Sequence, residues 1–206
     1  MDWQLISEPD RSYFQFQRHD KRAIYTTKKG QPEIAHSLNP VFLKQIHSNA
    51  IIDIDADSSR IGDGLLSRKR TCLGVKVADC LPVYLFSKEK ICIIHCGWRG
   101  IIKGIAKNAK KMMQDFHYAL GPSIGPCCYE VQQDVASLYK KNYSGSIIRR
   151  DKKYFLDLKA AVRQDLGSET LLGSLELCTK CHPEYFYSHR NGNKGRNYGL
   201  IIYSDD

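Results

Sequence analysis

Hydrophobic and polar positions change period several times along this 206-residue chain. Runs rich in β-branched and apolar residues near 23–27, 50–54, 71–77, 81–86, 91–95 and 198–203 predict strands. Between 101 and 116 the period becomes helical: Ile101, Ile102, Ile105, Ala106, Ala109, Met112, Met113 and Phe116 share one face, with lysines on the other. Two further helices are expected. One starts near Glu130; the other starts at Asp157, a residue suited to an N-cap, and stops at Gly167. Strands and helices mix without a clean βαβ alternation, which predicts an α/β fold, a single-domain α/β sandwich with a mixed sheet. No repeat, low-complexity tract or linker interrupts residues 1–206, so they read as a single domain.

Glycines punctuate the chain at Gly62-Asp63-Gly64, Gly97-Trp98-Arg99-Gly100, Gly121-Pro122-Ser123-Ile124-Gly125-Pro126 and Asn191-Gly192-Asn193. Several such turns following strands suggest the rim of a site. Composition adds little: 42% apolar and 26% charged residues describe an ordinary globular enzyme. The net charge of +9 is spread along the chain and no nucleic-acid motif accompanies it, so it points to a solvated basic surface or to small anionic substrates rather than to nucleic acid. No apolar run approaches the roughly 20 residues that span a bilayer. The start, Met1-Asp2-Trp3-Gln4, lacks the pattern of a secretory signal, so a cytoplasmic protein without membrane contact is expected.

Candidate chemistry concentrates between Ala78 and Gly100, where Cys80 and His95 each sit at the edge of a β-like run. With His47 they form a borderline-soft donor set suited to Zn²⁺, and three protein ligands leave a fourth position free, as in catalytic sites. Their spacing fits no compact zinc motif. The same atoms also serve a metal-free reading, with Cys80 as nucleophile and His95 or His47 as general base. Arg99, in the turn that feeds a helix, and Arg190 and Arg196, flanking a glycine-containing turn, are candidates for binding a phosphate or carboxylate. The remaining cysteines suggest packing more than disulfides. Cys72 and Cys92 read as core, and adjacent Cys127-Cys128 as packing or loop residues. Cys178-Thr179-Lys180-Cys181, followed by His182, is a second candidate metal or redox patch without a matching Cys-x-x-Cys partner.

Taken in order, several blocks resemble the laccase-domain family, whose members are called polyphenol oxidase and also purine nucleoside phosphorylase. They are Gln45-Ile46-His47, Gly62-Asp63-Gly64-Leu65, Ala78-Asp79-Cys80-Leu81-Pro82-Val83, His95-Cys96-Gly97-Trp98-Arg99-Gly100, Leu120 to Pro126, Cys178-Thr179, Phe186-Tyr187-Ser188-His189-Arg190 and Gly195-Arg196. The resemblance covers roughly residues 42–203. It implies an α/β sandwich with zinc held by His47, Cys80 and His95. It also implies phosphorolysis of adenosine, inosine, guanosine and methylthioadenosine, and deamination of adenosine. Copper suits the chain less well, because the blocks lack the many histidines of a multicopper centre. Three departures stand out. Lys28, in Thr26-Thr27-Lys28-Lys29-Gly30, replaces a family arginine that could help bind substrate; Ser48 stands where glycine is usual; and Cys96 stands where alanine is usual.

For phosphorolysis this assigns phosphate to Arg99 or Arg190, and a sugar hydroxyl or a proton transfer to Asp63. Asp79 either shuttles a proton in deamination or orients a ligand. Two other classes compete. One is a cysteine hydrolase or amidase acting on a small molecule or cell-wall precursor, since some family members are linked to peptidoglycan editing. The other is a nucleoside- or protein-binding module without turnover, favoured by the shortened region after Gly30.

Overall fold

The computed structural model describes residues 2–204. Two six-stranded sheets lie face to face. The first runs Gln4–Ser7, Ser12–Arg18, Lys21–Thr26, Asn197–Tyr203, Leu73–Val77 and Val41–Phe42. The second runs Leu171–Ser174, His117–Leu120, Leu81–Phe86, Ile91–Cys96, Gly64–Ser67 and Ile51–Asp53. Both are mixed: most pairs are antiparallel, but Val41–Phe42 pairs parallel to Leu73–Val77, as do Leu171–Ser174 with His117–Leu120 and Ile51–Asp53 with Gly64–Ser67. A small third sheet joins Glu130–Val131, Lys153–Leu156 and Ile147–Arg150.

Side-chain alternation explains the layering. In the strand Ile91–Cys96, Ile91 and Ile93 point toward the first sheet and pack with Phe14, Phe16, Tyr25, Val75 and Tyr84. Cys92, Ile94 and Cys96 point the other way, onto Ile101, Ile105, Ala109, Val162 and Leu166 of the helices. Both faces of this strand are covered, so it carries no polar alternation. A separate cluster of Ile24, Ile34, Cys72 and Leu200 seals the outer face of the first sheet beneath the helix Gln31–Leu38. The order of layers is helix, sheet, sheet, helices.

The expected single helix over 101–116 is two helices, Trp98–Ile102 and Ile105–Met113. Gly104 at φ 87° breaks the hydrogen-bond ladder between them, a conformation that glycine adopts without steric cost. The helix expected near Glu130 starts later, at Gln133, because Glu130–Val131 first pairs as a strand with Tyr154 and Phe155. The Asp157 cap is present: its carboxylate accepts from the Ala160 N–H, and the helix Leu158–Leu166 ends at Gly167. No helix among the described residues is long and apolar enough to cross a membrane.

Candidate metal centre and its cleft

His95 occupies the strand Ile91–Cys96 opposite Pro82, on the side that faces the first sheet. Cys80 lies just before the neighbouring strand Leu81–Phe86, and its turn is set by Asp79 at φ 88°. That carboxylate is anchored at both oxygens, one accepting from Thr179 Oγ1 at 2.7 Å and the other from the Arg190 N–H at 2.8 Å. His47 enters from a loop, itself at φ 56°. Donor atoms of His47, Cys80 and His95 all lie within 4.8 Å of one another, although 48 residues separate the outer two in sequence.

One buried carboxylate binds this arrangement together. Asp63 is 0% exposed and accepts from His95 Nδ1 at 2.9 Å. It also accepts from the backbone N–H groups of Ile46, His47 and Ser48 and from the Ser48 hydroxyl. It thus orients one ligand by its ring and another by its backbone, leaving Nε2 of His95 to face the cluster. Burial pushes the Asp63 carboxyl up, but His95 and Ser48 outweigh it and hold it well below the usual carboxylate range. Burial likewise pushes the Cys80 thiol up, and the adjacent His95 imidazolium and the hydrogen bonds from His47 and His95 more than offset this, bringing it down to about 6. For His95, burial lowers the imidazolium, while the Cys80 thiolate and Asp63 raise it to about 9. A thiolate and an imidazolium therefore coexist near neutrality.

Gly97 is tightly packed here: a Cβ there would stand 3.0 Å from Cys80 Sγ and 3.1 Å from His47 Cδ2, so one of them would have to shift.

The cluster opens into a cleft of about 430 Å³ lined by Leu43, Gln45, Lys76, Ala78, His189 and Arg196. Of the arginines singled out from the sequence, Arg196 lines this cleft. Arg190 lines an adjacent one, where its guanidinium donates to the Glu130 carbonyl and lies over Tyr129, and Arg99 stacks on Trp98 at that cleft's edge. Lys28 lines neither; its ammonium donates to the Pro183 carbonyl at 2.7 Å. Asp63 and Asp79 have their oxygens engaged by the protein, and neither lines the cleft.

Lys76 was no candidate from the sequence, and Gln45 and His189 entered only as members of matching blocks. Lys76 is the one exposed position in an otherwise buried strand, a signal visible only once both faces are assigned. His189 sits inside the block that carries Arg190. The adjacent Cys127-Cys128, expected to be packing or loop residues, lie in a turn and converge there with Cys178 and Cys181 in a second cluster. A larger concavity, about 510 Å³, lies at the far end of Leu81–Phe86 among Arg18, Asp20, Lys88 and His117, and no thiol lines it.

A family model described as multi-copper polyphenol oxidoreductase laccase matches residues 15–204. A purine nucleoside phosphorylase of Clostridium acetobutylicum is 35% identical over 180 residues, spanning 78% of this chain and 75% of that protein. One from Aquifex aeolicus is 33% identical over 168 residues, spanning 77% and 80%. Among solved structures, YlmD from Geobacillus stearothermophilus matches with a TM-score of 0.84 at 22% identity, covering 98% of this chain and 99% of that one. That last likeness is one of fold.

Proposed function

The chain belongs to the laccase-like family whose model it matches, and from that membership we propose that it is a zinc-dependent purine nucleoside phosphorylase that also deaminates adenosine. The observation that carries the reading is one thiol and two imidazoles converging at a cleft that also bears cationic side chains. The names of the Clostridium and Aquifex relatives support the same substrate class.

The donor set fits zinc. Two imidazole nitrogens and a thiolate are a borderline-soft trio, and Asp63 on His95 Nδ1 supplies the carboxylate partner that metal-bound histidines usually have. A multicopper centre would need more imidazoles than the two gathered here. His47, Cys80 and His95 would hold the ion, which when bound supplies a Lewis acid with one position left for substrate.

The rest of the chemistry falls to the chain. In phosphorolysis a phosphate oxygen bonds to C1′ as the C1′–N9 bond breaks, and the purine leaves with a proton. Arg196 would offer the incoming phosphate its cation. His189, on the same wall, would pass a proton to N7 of the departing base. Adenosine, inosine, guanosine and methylthioadenosine share the bond that breaks. In deamination the same cleft would admit water to purine C6 and release ammonia.

The test is an assay of metal-loaded protein with adenosine, with and without phosphate, resolving adenine, inosine and hypoxanthine. Adenine that depends on phosphate is expected, and Cys80→Ala should lower its rate by about 10³-fold or more. Arg196→Gln should raise the KM for phosphate about tenfold, and Arg190→Gln should leave it within about twofold. A loaded wild-type protein that forms no product overturns the reading.

One observation favours a second reading. Cys80, His95 and Asp63 form a nucleophile, base and orienting carboxylate in sequence, the constellation of a cysteine amidase. Amide cleavage that persists in metal-free buffer and stops on alkylation of Cys80 would select it.

A further inference from the structure

We propose that Cys127, Cys128, Cys178 and Cys181 form a second metal site, a closed tetrathiolate centre for one structural zinc ion, separate from the His47–Cys80–His95 cluster. All four sulfurs lie within 4.8 Å of one another. The Cys128–Cys181 and Cys127–Cys181 pairs are 3.4 and 3.8 Å apart. Zinc–sulfur bonds of about 2.3 Å at tetrahedral angles set sulfurs about 3.8 Å apart, so these two pairs already lie near coordination spacing. A disulfide would use two of the sulfurs, at about 2.0 Å, and would leave the convergence of the other two unexplained.

The backbone shows how neighbouring cysteines come to face one point. In extended chain, successive side chains point to opposite faces. Here residues 126–128 form a turn in which the N–H groups of Cys128 and Tyr129 both donate to the Gly125 carbonyl at 2.9 Å, and this swings both sulfurs to one side. Opposite, the N–H groups of Cys181 and His182 donate to the Cys178 carbonyl at 3.1 Å, closing the Cys-x-x-Cys turn. The Gly125 N–H also donates to Cys178 Sγ at 3.2 Å, the kind of support that metal thiolates receive. Cys178 is buried while Cys127 and Cys181 are exposed, so an ion can enter from the surface.

The centre would fasten two segments that brace the cleft. It closes a loop between positions 54 residues apart. Ser123 and Cys178 pair as an isolated parallel bridge, and the Thr179 N–H donates to the Ser123 carbonyl at 3.0 Å. Thr179, inside the Cys-x-x-Cys turn, donates its hydroxyl proton to Asp79, the residue before Cys80. With four thiolates and no open position, this zinc would hold structure and take no substrate.

The experiment measures metal in protein purified under reducing conditions from zinc-supplemented culture. Wild type should hold about two zinc ions per chain, and Cys80→Ala and Cys181→Ser about one each. Cys181→Ser should also melt several degrees lower. Because Cys181→Ser can fail to fold, cobalt is loaded into Cys80→Ala as a second measurement. There the strong sulfur-to-metal absorption of a tetrathiolate centre should remain, with nitrogen ligands absent from it. Zinc near one per chain in wild type and near zero in Cys80→Ala overturns the proposal. So do a Cys128–Cys181 disulfide in mass spectra of the reduced preparation, or iron in place of zinc. Loss of phosphorolysis with both metal contents intact would count against the proposed activity and leave this site standing.

Discussion

The two donor clusters of this molecule are built by opposite means. His47, Cys80 and His95 come from a loop, a strand edge and a strand interior, and a single buried carboxylate draws the first and last together. The four cysteines come from two tight turns, and their own backbone amides do the work that Asp63 does in the other cluster. One cluster has three donors and opens onto a cleft; the other has four and no imidazole. If both clusters hold zinc as proposed, ligand count would divide labour between them. The incomplete shell would then serve chemistry, and the complete one would hold the wall behind it.

The sharpest way to break the contrast is to remove the carboxylate that only one cluster uses. Asp63→Asn should lower zinc affinity at the His47 site about 10- to 100-fold, with the tetrathiolate site unaffected, as read by chelator competition in a Cys181→Ser background and in wild type. An equal loss at both sites would mean that Asp63 supports the fold and not one cluster. Gly97→Ala comes next. Its Cβ would meet Cys80 Sγ and His47 directly, so the same competition assay should show about a tenfold loss. Wild-type affinity in that variant would show that the loop yields.

A third test uses pH on metal-free protein. Cys80 is lowered from 9.0 to about 6, so its thiolate is present above that pH and is lost as pH falls through it. His95, raised to about 9, keeps its proton until pH rises past that value. Alkylation of Cys80 should therefore switch on near pH 6, and a midpoint near 9 would refute the pairing. Stability contributed by the Cys80 thiolate is lost as pH falls through about 6, and that contributed by the His95 imidazolium is lost as pH rises through about 9, so between those values the two nearly offset. The smallest effect is expected from Ser48→Gly, which restores the residue usual in the family. It deletes the 2.7 Å hydroxyl bond to Asp63 and should cost about 1 kcal/mol in urea unfolding. No change would mean that the backbone N–H groups suffice.

Much of the arrangement was legible in the chain. The apolar runs around Cys80 and His95 are strands because both their faces are buried, and the anticipated Asp157 cap and Gly167 stop bound a helix. The N-terminal strand Gln4–Ser7 was not visible, since three of its four residues are exposed and carry no burial pattern. The periodicity of 101–116 ran through Gly104 because two short helices on one core keep a common apolar face. Site residues were harder. Charge type alone marked Arg99, Arg190 and Arg196 equally, and only the cleft that each borders separates Arg196 from the others. Cys127 and Cys128 do lie in a turn, as expected of loop residues, but nothing in the sequence signalled that the turn brings them to Cys178 and Cys181. Cys96, where the family has alanine, is fully buried on the helix-facing side and adds bulk to the core rather than a ligand.

The three candidate ligands of the open site also differ in how free they would be to leave. His95 is fixed in a strand paired on both sides, and Cys80 adjoins the next strand. His47 rides on a loop, held by its N–H to Asp63 and its carbonyl to Lys103. Exchange of the ion should therefore be a gated, stepwise event in which His47 lets go first, while the thiolate and His95 keep their grip. The off-rate would then report the opening of that loop, and it would respond to the length of the 43–50 segment long before it responded to the melting of the sheets.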